Sequence, residues 1–338
     1  MTSLFVDRRN VHLELDGNAI VFRENGERIG TVPLAPLSRV FLRGDIVLSA
    51  SLLGKLGEHN VGVVVLSGRQ GKPTLLLARP HNDASRRVAQ IKNSLDEAFT
   101  LDFARALIER KLERQIAWFD ELRETNLQYR YELTHAMKLL KEHRQRLPSV
   151  KSAASLRGVE GSAAARYFDG LKAVVPPALK FHARNRRPPR DPFNAILSLS
   201  YTLAVSELSI ALYGAGFDPY VGFYHQLDFG RESLSCDLLE PIRPIVDTFA
   251  LQLFRQGKLS ADDFSSTESG CFLGKAGRVR YYGAYEAASE NLRAGINLEI
   301  ERLGRAMTTT ESAQDAARKN AAPSTDADAP DIASGDDD

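Results

Sequence analysis

The amino-acid sequence predicts an α+β protein in which an N-terminal β-rich domain is followed by a larger all-α C-terminal domain. Short apolar runs separated by turn dipeptides occupy the first 80 residues, and apolar residues recur at spacings of three and four after His81. The end of the chain is acidic and has no aromatic residue. We therefore divide the chain into a β-rich domain (1–80), an all-α domain (81–306) and a disordered acidic tail (307–338).

Residues 11–33 have the pattern of a β-meander, and later runs are expected to extend its sheet. Asp16-Gly17 and Asn25-Gly26 separate runs that alternate in period two. Such dipeptides predict hairpins, because both central residues of a type I′ turn need positive φ. The predicted strands are 11–15, 19–23, 28–33, 39–42, 62–66 and 74–77, with one short helix near 49–56.

After residue 83 the apolar period becomes that of helices and remains so. The predicted helices are 101–123, 127–147, 155–174, 193–213, 236–256 and 278–305. The apolar stretch 194–217 carries Glu207 in its middle. We therefore interpret it as a buried helix and predict no membrane association.

The composition, the N-terminal residues and the charge of the tail exclude several classes of protein. The chain has 338 residues and only two cysteines, which excludes a disulfide-stapled miniprotein and fits a reducing compartment. The N-terminus has no long apolar run typical of a signal peptide, so we predict a cytoplasmic protein. Residues 307–338 contain eight acids and two bases, and without them the net charge changes from +1 to +7. The tail is expected to solvate the protein or to compete for a basic surface.

Glu160 is the first candidate for chemistry. It lies between two glycines in the run Gly-Val-Glu-Gly-Ser-Ala-Ala at 158–164. The small neighbours would let a ligand or another backbone approach the carboxylate. The alternative is a carboxylate placed near a helix start to interact with the helix dipole.

His225, Asp237 and Glu240 form a second group of candidates. A single loop histidine is more often a packing or surface residue, but Asp237 and Glu240 follow it at i and i+3 on one helical face. One imidazole with two or three carboxylates suits Mg²⁺ or Mn²⁺, because hard oxygen ligands select these ions. The 43 acids of the chain also make chance pairings easy.

A basic strip, defined here as residues 180–190, is the third feature. It carries five positive charges and no acid: Lys180, Arg184, Arg186, Arg187 and Arg190. Guanidinium groups bind phosphate oxygens in a bidentate manner, so the strip predicts a phosphate-binding surface. A solvated loop or a partner for the acidic tail is the alternative. Arg231, in the loop after His225, is a further candidate for DNA binding.

Four segments, in this order and spacing, resemble one known family. They are the Glu160 run, Arg-Arg-Pro-Pro-Arg-Asp-Pro-Phe-Asn-Ala at 186–195, Gly-Phe-Asp-Pro-Tyr-Val-Gly-Phe-Tyr-His at 216–225, and Ser-Leu-Ser-Cys-Asp-Leu-Leu-Glu at 233–240. Together they resemble CRISPR-associated protein one, the CRISPR adaptation integrase and endonuclease family. The β-then-α order of residues 1–306 is similar as well, whereas the acidic tail lies outside the family pattern.

The resemblance implies an N-terminal domain used for homodimerisation and a divalent-metal site with Glu160, His225 and Glu240 as ligands. Asp237 would be a neighbouring acid, bound to the metal directly or acting through water. The implied reaction inserts spacer DNA into the repeat of a CRISPR array by transesterification, with cleavage of DNA as the related activity. The implied partners are double-stranded DNA and CRISPR-associated protein two.

Two other function classes remain open at this point. One is a non-catalytic DNA-binding scaffold, whose basic strip would hold DNA for another enzyme. The other is a helical binding module without a nucleic-acid role.

Overall fold

The structure is a computed structural model that describes residues 2–67, 72–77, 84–186, 188–225 and 228–321. Its N-terminal part consists of strands and one short helix. These elements are β1 Thr2–Asp7, β2 Val11–Asp16, β3 Ala19–Glu24, β4 Glu27–Pro33, β5 Leu37–Arg43, β6 Ile46–Leu48, α1 Ala50–Glu58, β7 Gly62–Ser67 and β8 Lys72–Leu76.

The strands form two four-stranded sheets, and only part of them is a meander. One sheet has the order β4-β3-β2-β6 and the other β1-β5-β7-β8. β2, β3 and β4 are antiparallel neighbours, as predicted, but β6 is parallel to β2, and β5 is parallel to both β1 and β7. Parallel pairing needs crossover connections that a strand-by-strand pattern does not reveal. The meander of β2, β3 and β4 is confirmed, but the prediction that the later strands extend the same sheet is wrong for β5, β7 and β8.

The two predicted hairpins differ in their turns. Asn25 and Gly26 both have positive φ, as a type I′ turn requires. In the first hairpin, β2 continues through Asp16, and of the turn residues that follow only Gly17 has positive φ. Asp16 therefore belongs to the strand and does not form the turn.

The C-terminal part is mostly helical, which confirms the predicted fold class. The helices are α2 Ser85–Ser94, α3 Glu97–Thr125, α4 Arg130–Arg146, α5 Ala153–Val174, α6 Pro192–Gly214, α7 Ser233–Leu239, α8 Arg243–Arg255 and α9 Lys275–Ala321. The prediction of a purely α domain is wrong in one respect, because β9 Phe264–Thr267 and β10 Gly270–Leu273 form a hairpin. The backbone N–H of Cys271 in β10 donates to the carbonyl of Pro189, so the hairpin supports the basic strip.

The acidic tail also differs from the expectation. Helix α9 continues through Ala321, so disorder is wrong for residues 307–321. Alanine, glutamate, glutamine, lysine and arginine make up much of this stretch, and their intrinsic propensity favours a helix. Residues 322–338 lie outside the described part of the chain.

The two parts share a continuous core. Phe41 and Val64 belong to the same buried cluster as the helices, and Phe5 stacks on both Phe41 and Tyr282 of α9. The β1-β5-β7-β8 sheet therefore packs directly against the helices, and the N-terminal part of the chain stabilises the helical part.

Helix α6 is the central core helix. It is the one helix of the described residues that is long and apolar enough to span a membrane, but 72% of its apolar window is buried within the protein. Its buried Glu207 forms ion pairs with Arg39 of β5 and Arg293 of α9, at 3.4 and 3.0 Å. These contacts are those of a core helix, as predicted from Glu207.

Candidate metal and nucleic-acid site

Two of the predicted acidic ligands converge on one buried cation. The Lys111 ammonium donates to Glu240 Oε2 at 2.7 Å and to Glu160 Oε1. The side chains of Lys111 and Glu240 are each 5% exposed, and that of Glu160 is 23% exposed. Two carboxylates from distant parts of the chain thus share one positive charge just beneath the protein surface.

The local sequence explains how each of these side chains arrives there. Lys111 occupies a position in the buried stripe of α3, between Leu107 and Gln115. Glu160 lies two turns inside α5, which excludes the alternative of a charge at the helix N-terminus. A Cβ added at Gly158 or Gly161 would have no described atom within 4 Å beyond the backbone of its own helix. The Glu160 side chain is itself partly exposed, so a ligand can reach it.

Two prolines that follow Glu240 determine the path of the backbone at this residue. The predicted helix 236–256 is divided into α7 and α8 by a 3-10 turn at Glu240–Ile242. Pro241 and Pro244 have no N–H to donate, so a continuous α-helix through them is disfavoured. The division leaves the Glu240 side chain between Lys111 and Arg243, which donates to Glu240 Oε1 at 2.9 Å.

The charges in this site stabilise one another. Burial acts to raise the pKa of Glu240, but Arg243 and Lys111 outweigh it and hold this pKa well below its usual range. Burial acts to lower the pKa of Lys111, but Glu240 and Glu160 outweigh it, so this pKa is raised. Both groups are therefore charged at neutral pH.

Asp237 organises the loop that carries His225. Its Oδ2 accepts the backbone N–H groups of Phe223 and Tyr224 at 2.6 and 3.0 Å, and its Oδ1 accepts the backbone N–H of His225 at 2.8 Å. Gly222 permits this close approach, because a Cβ there would lie 2.9 Å from Asp237 Oδ2 and 2.8 Å from the Ser233 backbone. The fully buried Asp237 is thus a backbone anchor.

The same carboxylate sets the orientation of the imidazole. His225 Nδ1 lies 2.7 Å from Asp237 Oδ1, and since an ionised carboxylate only accepts, Nδ1 carries the proton. In neutral His225, Nε2 then carries the lone pair that can bind a metal. A carboxylate that accepts from the second ring nitrogen is the usual partner of a metal-ligating histidine. Asp237 has both oxygens engaged and fits this supporting role rather than that of a direct ligand.

The negative charges of both groups act on the Tyr224 phenol. Burial raises the pKa of this phenol, and the negative charges of Glu160, Glu240 and Asp237 raise it further. Across the described residues, no three His, Cys, Asp or Glu side chains already lie close enough to enclose an ion. Glu160 and Glu240 are brought together around Lys111, whereas His225 is held by Asp237 and does not complete a three-residue set with them.

The basic strip adjoins this site through one aromatic ring. The guanidinium of Arg243 lies 4.7 Å from the ring centre of Tyr201, and that of Arg184 lies 5.5 Å from the same centre. Arg184 is largely engaged within the protein: it donates to Asn194 and Ser198, and burial lowers its pKa to about 10. Arg184 therefore holds the strip in place, a role that the sequence did not indicate.

The other predicted DNA-binding residues are more accessible. Lys180, Arg186 and Arg190 are exposed, and Asn185 fixes the loop by accepting the backbone N–H of Arg190 at 2.8 Å. Arg231 is exposed and pairs with Asp228 at 3.2 Å. Arg187 lies outside the described residues.

Three arginines around a buried glutamate add positive charge on the other side of Glu240. Arg110 and Arg114 of α3 and Arg302 of α9 all bond to Glu299, which is fully buried, at 2.8–3.1 Å. Arg114 also donates to the carbonyl of Pro241 at 2.6 Å, next to Glu240. One carboxylate cannot neutralise three guanidinium groups, so this cluster leaves an excess of positive charge beside the site.

Comparison with known proteins identifies the family. The sequence model described as "CRISPR associated protein Cas1" matches residues 4–287. The chain belongs to the Cas1 family. It is 37% identical over 308 residues to the CRISPR-associated endonuclease Cas1 1 of Thermodesulfovibrio yellowstonii, covering 90% of this chain and 96% of that protein. The resemblance inferred from the four segments is confirmed.

Solved structures agree with this assignment at the level of the fold. A Cas1 protein from Thermotoga maritima superposes with a TM-score of 0.79 at 20% identity, covering 90% of this chain and 97% of the other. A casposase bound to an integration product gives a TM-score of 0.78 at 22% identity, covering 91% of each chain. The β-then-α arrangement is thus the Cas1 fold.

The central residue of this Cas1 site, Lys111, is not among the site residues predicted from the sequence. Its position nevertheless carries a usable signal. It follows Leu107 by four residues and Ile108 by three, on the face that α3 buries. A lysine at such a position needs buried partners of opposite charge, and these are Glu160 and Glu240.

Proposed function

We propose that this Cas1 chain is a metal-dependent DNA integrase and endonuclease of CRISPR adaptation. The observation that carries the proposal is the convergence of Glu160 and Glu240 on a single cation. Asp237 orients His225, the third proposed ligand. The names of curated relatives, which are CRISPR-associated endonucleases, support the same class of activity.

The proposed reaction is a transesterification. The 3′-hydroxyl oxygen of a spacer precursor attacks a phosphorus atom at the repeat boundary and loses its proton. A new phosphodiester bond forms while the bond to the 3′-oxygen of the array strand breaks, and that oxygen is protonated. One phosphodiester replaces another, so the reaction needs no external energy source. Hydrolysis, in which water replaces the hydroxyl group, gives the endonuclease activity.

The donor set fits a hard divalent cation. The Lys111 ammonium shows that the two carboxylates can hold a shared positive charge, and His225 Nε2 would supply the third protein ligand. Oxygen ligands with one imidazole suit Mg²⁺ or Mn²⁺. Bound there, the cation would supply electrophilic stabilisation of the phosphate charge. Asp237 keeps the His225 ring in the required tautomer throughout.

Two basic surfaces would hold the DNA on either side of the acidic residues. One is the exposed part of the basic strip, Lys180, Arg186 and Arg190, with Arg231 in the neighbouring loop, and the other is the Arg110, Arg114 and Arg302 cluster. Phosphate contacts of this kind position a strand without reading its sequence. Double-stranded DNA, as spacer precursor and as CRISPR repeat, is therefore the proposed substrate in the cytoplasm.

The proposed assembly is a homodimer that acts with CRISPR-associated protein two. β4 and β6 are the edge strands of one N-terminal sheet, and they expose Ile29 and Val47. Edge strands with exposed apolar residues are suited to pairing with another chain. This supports the N-terminal domain as the dimerisation surface.

Replacing the proposed ligands should remove strand transfer. We expect Glu160→Gln, His225→Ala and Glu240→Gln each to reduce transfer of a 3′-hydroxyl duplex into a supercoiled repeat plasmid to the level without protein. DNA affinity should remain, because phosphate contacts lie on the arginines and lysines. EDTA should have the same effect on the unmodified chain.

The exposed Glu290→Gln variant is the matched control and should keep full activity. Strand transfer that persists in all three ligand variants would contradict the proposed enzymatic activity and favour the alternative, a non-catalytic DNA-binding scaffold.

Removing charge from the basic strip should weaken DNA binding. For Lys180→Gln, Arg186→Gln and Arg190→Gln combined, we expect the slope of log affinity against log salt to decrease by about 0.9 for each phosphate that is no longer neutralised. Arg184 is left unchanged because it holds the loop through Asn194 and Ser198. Filter binding or fluorescence anisotropy at several salt concentrations measures the slope.

The matched control removes the exposed bases Lys138, Lys141 and Arg146 of α4. If both triple variants change the slope equally, the basic strip contributes no more to DNA binding than the exposed bases of α4. A slope that does not change in either would favour the helical binding module without a nucleic-acid role.

A further inference from the structure

One buried lysine occupies the gap between the two acidic residues of the site. We propose that Lys111 is an exchangeable counter-cation: its ammonium pairs with Glu160 and Glu240, and it moves to Gln115 when a divalent cation binds these carboxylates. This inference rests on the proposed function, because it assumes that Glu160 and Glu240 are metal ligands.

The Lys111 ammonium and a bound divalent cation would occupy the same space. The Lys111 ammonium lies 2.7 Å from Glu240 Oε2 and also bonds to Glu160 Oε1. A Mg²⁺ ion bound by the same oxygens would lie about 2.1 Å from each of them. Both cations would therefore need the same gap, and like charges this close repel strongly in a site shielded from water.

The two cations that pair with Glu240 differ in their freedom to move. Arg243 also pairs with Glu240, but its guanidinium is fixed over the Tyr201 ring at 4.7 Å. A planar guanidinium held by a carboxylate and an aromatic face has little freedom. Lys111 has a flexible four-carbon stem and three rotatable N–H donors. Of the two cations, Lys111 is the one that can change partners.

A second acceptor for the Lys111 ammonium lies on the same face of α3. Gln115 follows Lys111 by one helical turn on the buried face of α3, and side chains at i and i+4 are neighbours. Its Oε1 is buried and has no hydrogen-bond partner among the described residues. An unpaired buried carbonyl is unfavourable, and a lysine ammonium turned towards it would satisfy it. Lys111 thus has two acceptor sets, one on each side.

The test is a double-mutant cycle read out by Mn²⁺ affinity, measured on the full chain by calorimetry or electron paramagnetic resonance. We expect Lys111→Met to bind Mn²⁺ about tenfold or more tightly, because the competing positive charge is gone. Gln115→Leu should bind Mn²⁺ about fivefold or more weakly, because the displaced ammonium loses its acceptor. In the Lys111→Met background, the Gln115→Leu change should have no effect on Mn²⁺ affinity.

Lys111→Gln is the second variant, in case Lys111→Met does not fold, and it should also tighten Mn²⁺ binding. The exposed Lys138→Met variant removes an equal charge at a distance and should leave Mn²⁺ affinity unchanged. Unchanged or weaker Mn²⁺ binding in folded Lys111 variants would overturn the exchange, as would an equal effect of Gln115→Leu in both backgrounds.

The failure of the inference can be distinguished from failure of the proposed function. If the unmodified chain binds no Mn²⁺ in a manner that depends on Glu160, the proposed metal site itself is wrong. If it binds Mn²⁺ through Glu160 but loss of the Lys111 charge does not tighten binding, only the exchange is wrong.

Discussion

A Glu240→Gln variant is expected to lose about 3–5 kcal/mol of unfolding free energy near neutral pH, since it leaves buried cations without their anionic partner. Glu240 bonds to Lys111 at 2.7 Å and to Arg243 at 2.9 Å, and its side chain is 5% exposed. The neutral amide could accept from only one of them. Urea unfolding of the variant and the unmodified chain measures the difference.

The size of this loss should depend on pH, with a defined sign. The pKa of Glu240 in the folded chain is lowered from its usual value of 4.5. A group of this kind contributes stability that is present above its unfolded pKa and is lost as the pH falls through the folded pKa. The difference between the variant and the unmodified chain should therefore be largest above about pH 5 and shrink as the pH falls below 4.5.

The exposed Glu290→Gln variant should show no comparable loss of unfolding free energy at pH 7 or at pH 4. An equal loss for Glu240→Gln at pH 7 and at pH 4 would contradict ionised Glu240 as the origin of the effect.

The sequence was sufficient for features that depend on local chemistry. Turn dipeptides such as Asn25-Gly26 marked strand ends, because few residues accept positive φ. Pro241 and Pro244 lie where the structure breaks the predicted helix 236–256, next to Glu240. Four motifs in order were specific enough to identify the family from the sequence alone.

Features that depend on residues far apart in the chain could not be predicted from the sequence. The parallel pairing of β1, β5 and β7 is decided by register between segments far apart in the chain. The role of Asp237 depends on three backbone N–H groups, and backbone donors carry no sequence signal. Arg184 has the same sequence character as its neighbours in the basic strip, and only its contacts with Tyr201, Asn194 and Ser198 show that it is structural.

An Asp237→Asn variant is the sharpest test of how His225 is positioned. We expect it to reduce Mn²⁺ affinity and strand transfer by about 10- to 100-fold, the usual effect of losing a carboxylate that supports a ligand. An amide has one acceptor oxygen, and two backbone N–H groups, those of Phe223 and Tyr224, already bond to one side of Asp237. If the oxygen stays there, the NH₂ group faces His225.

The consequence is a change of tautomer. Facing a donor, His225 Nδ1 would become an acceptor and the ring proton would move to Nε2, so Nε2 could no longer bind a metal. A role in folding alone would lower stability without changing Mn²⁺ affinity in the molecules that remain folded. Mn²⁺ affinity is therefore measured below the unfolding transition of the variant. DNA affinity, for which we propose Lys180, Arg186 and Arg190, serves as the internal control. Unchanged Mn²⁺ binding and strand transfer in the folded variant would show that Asp237 anchors the backbone but does not set the state of His225.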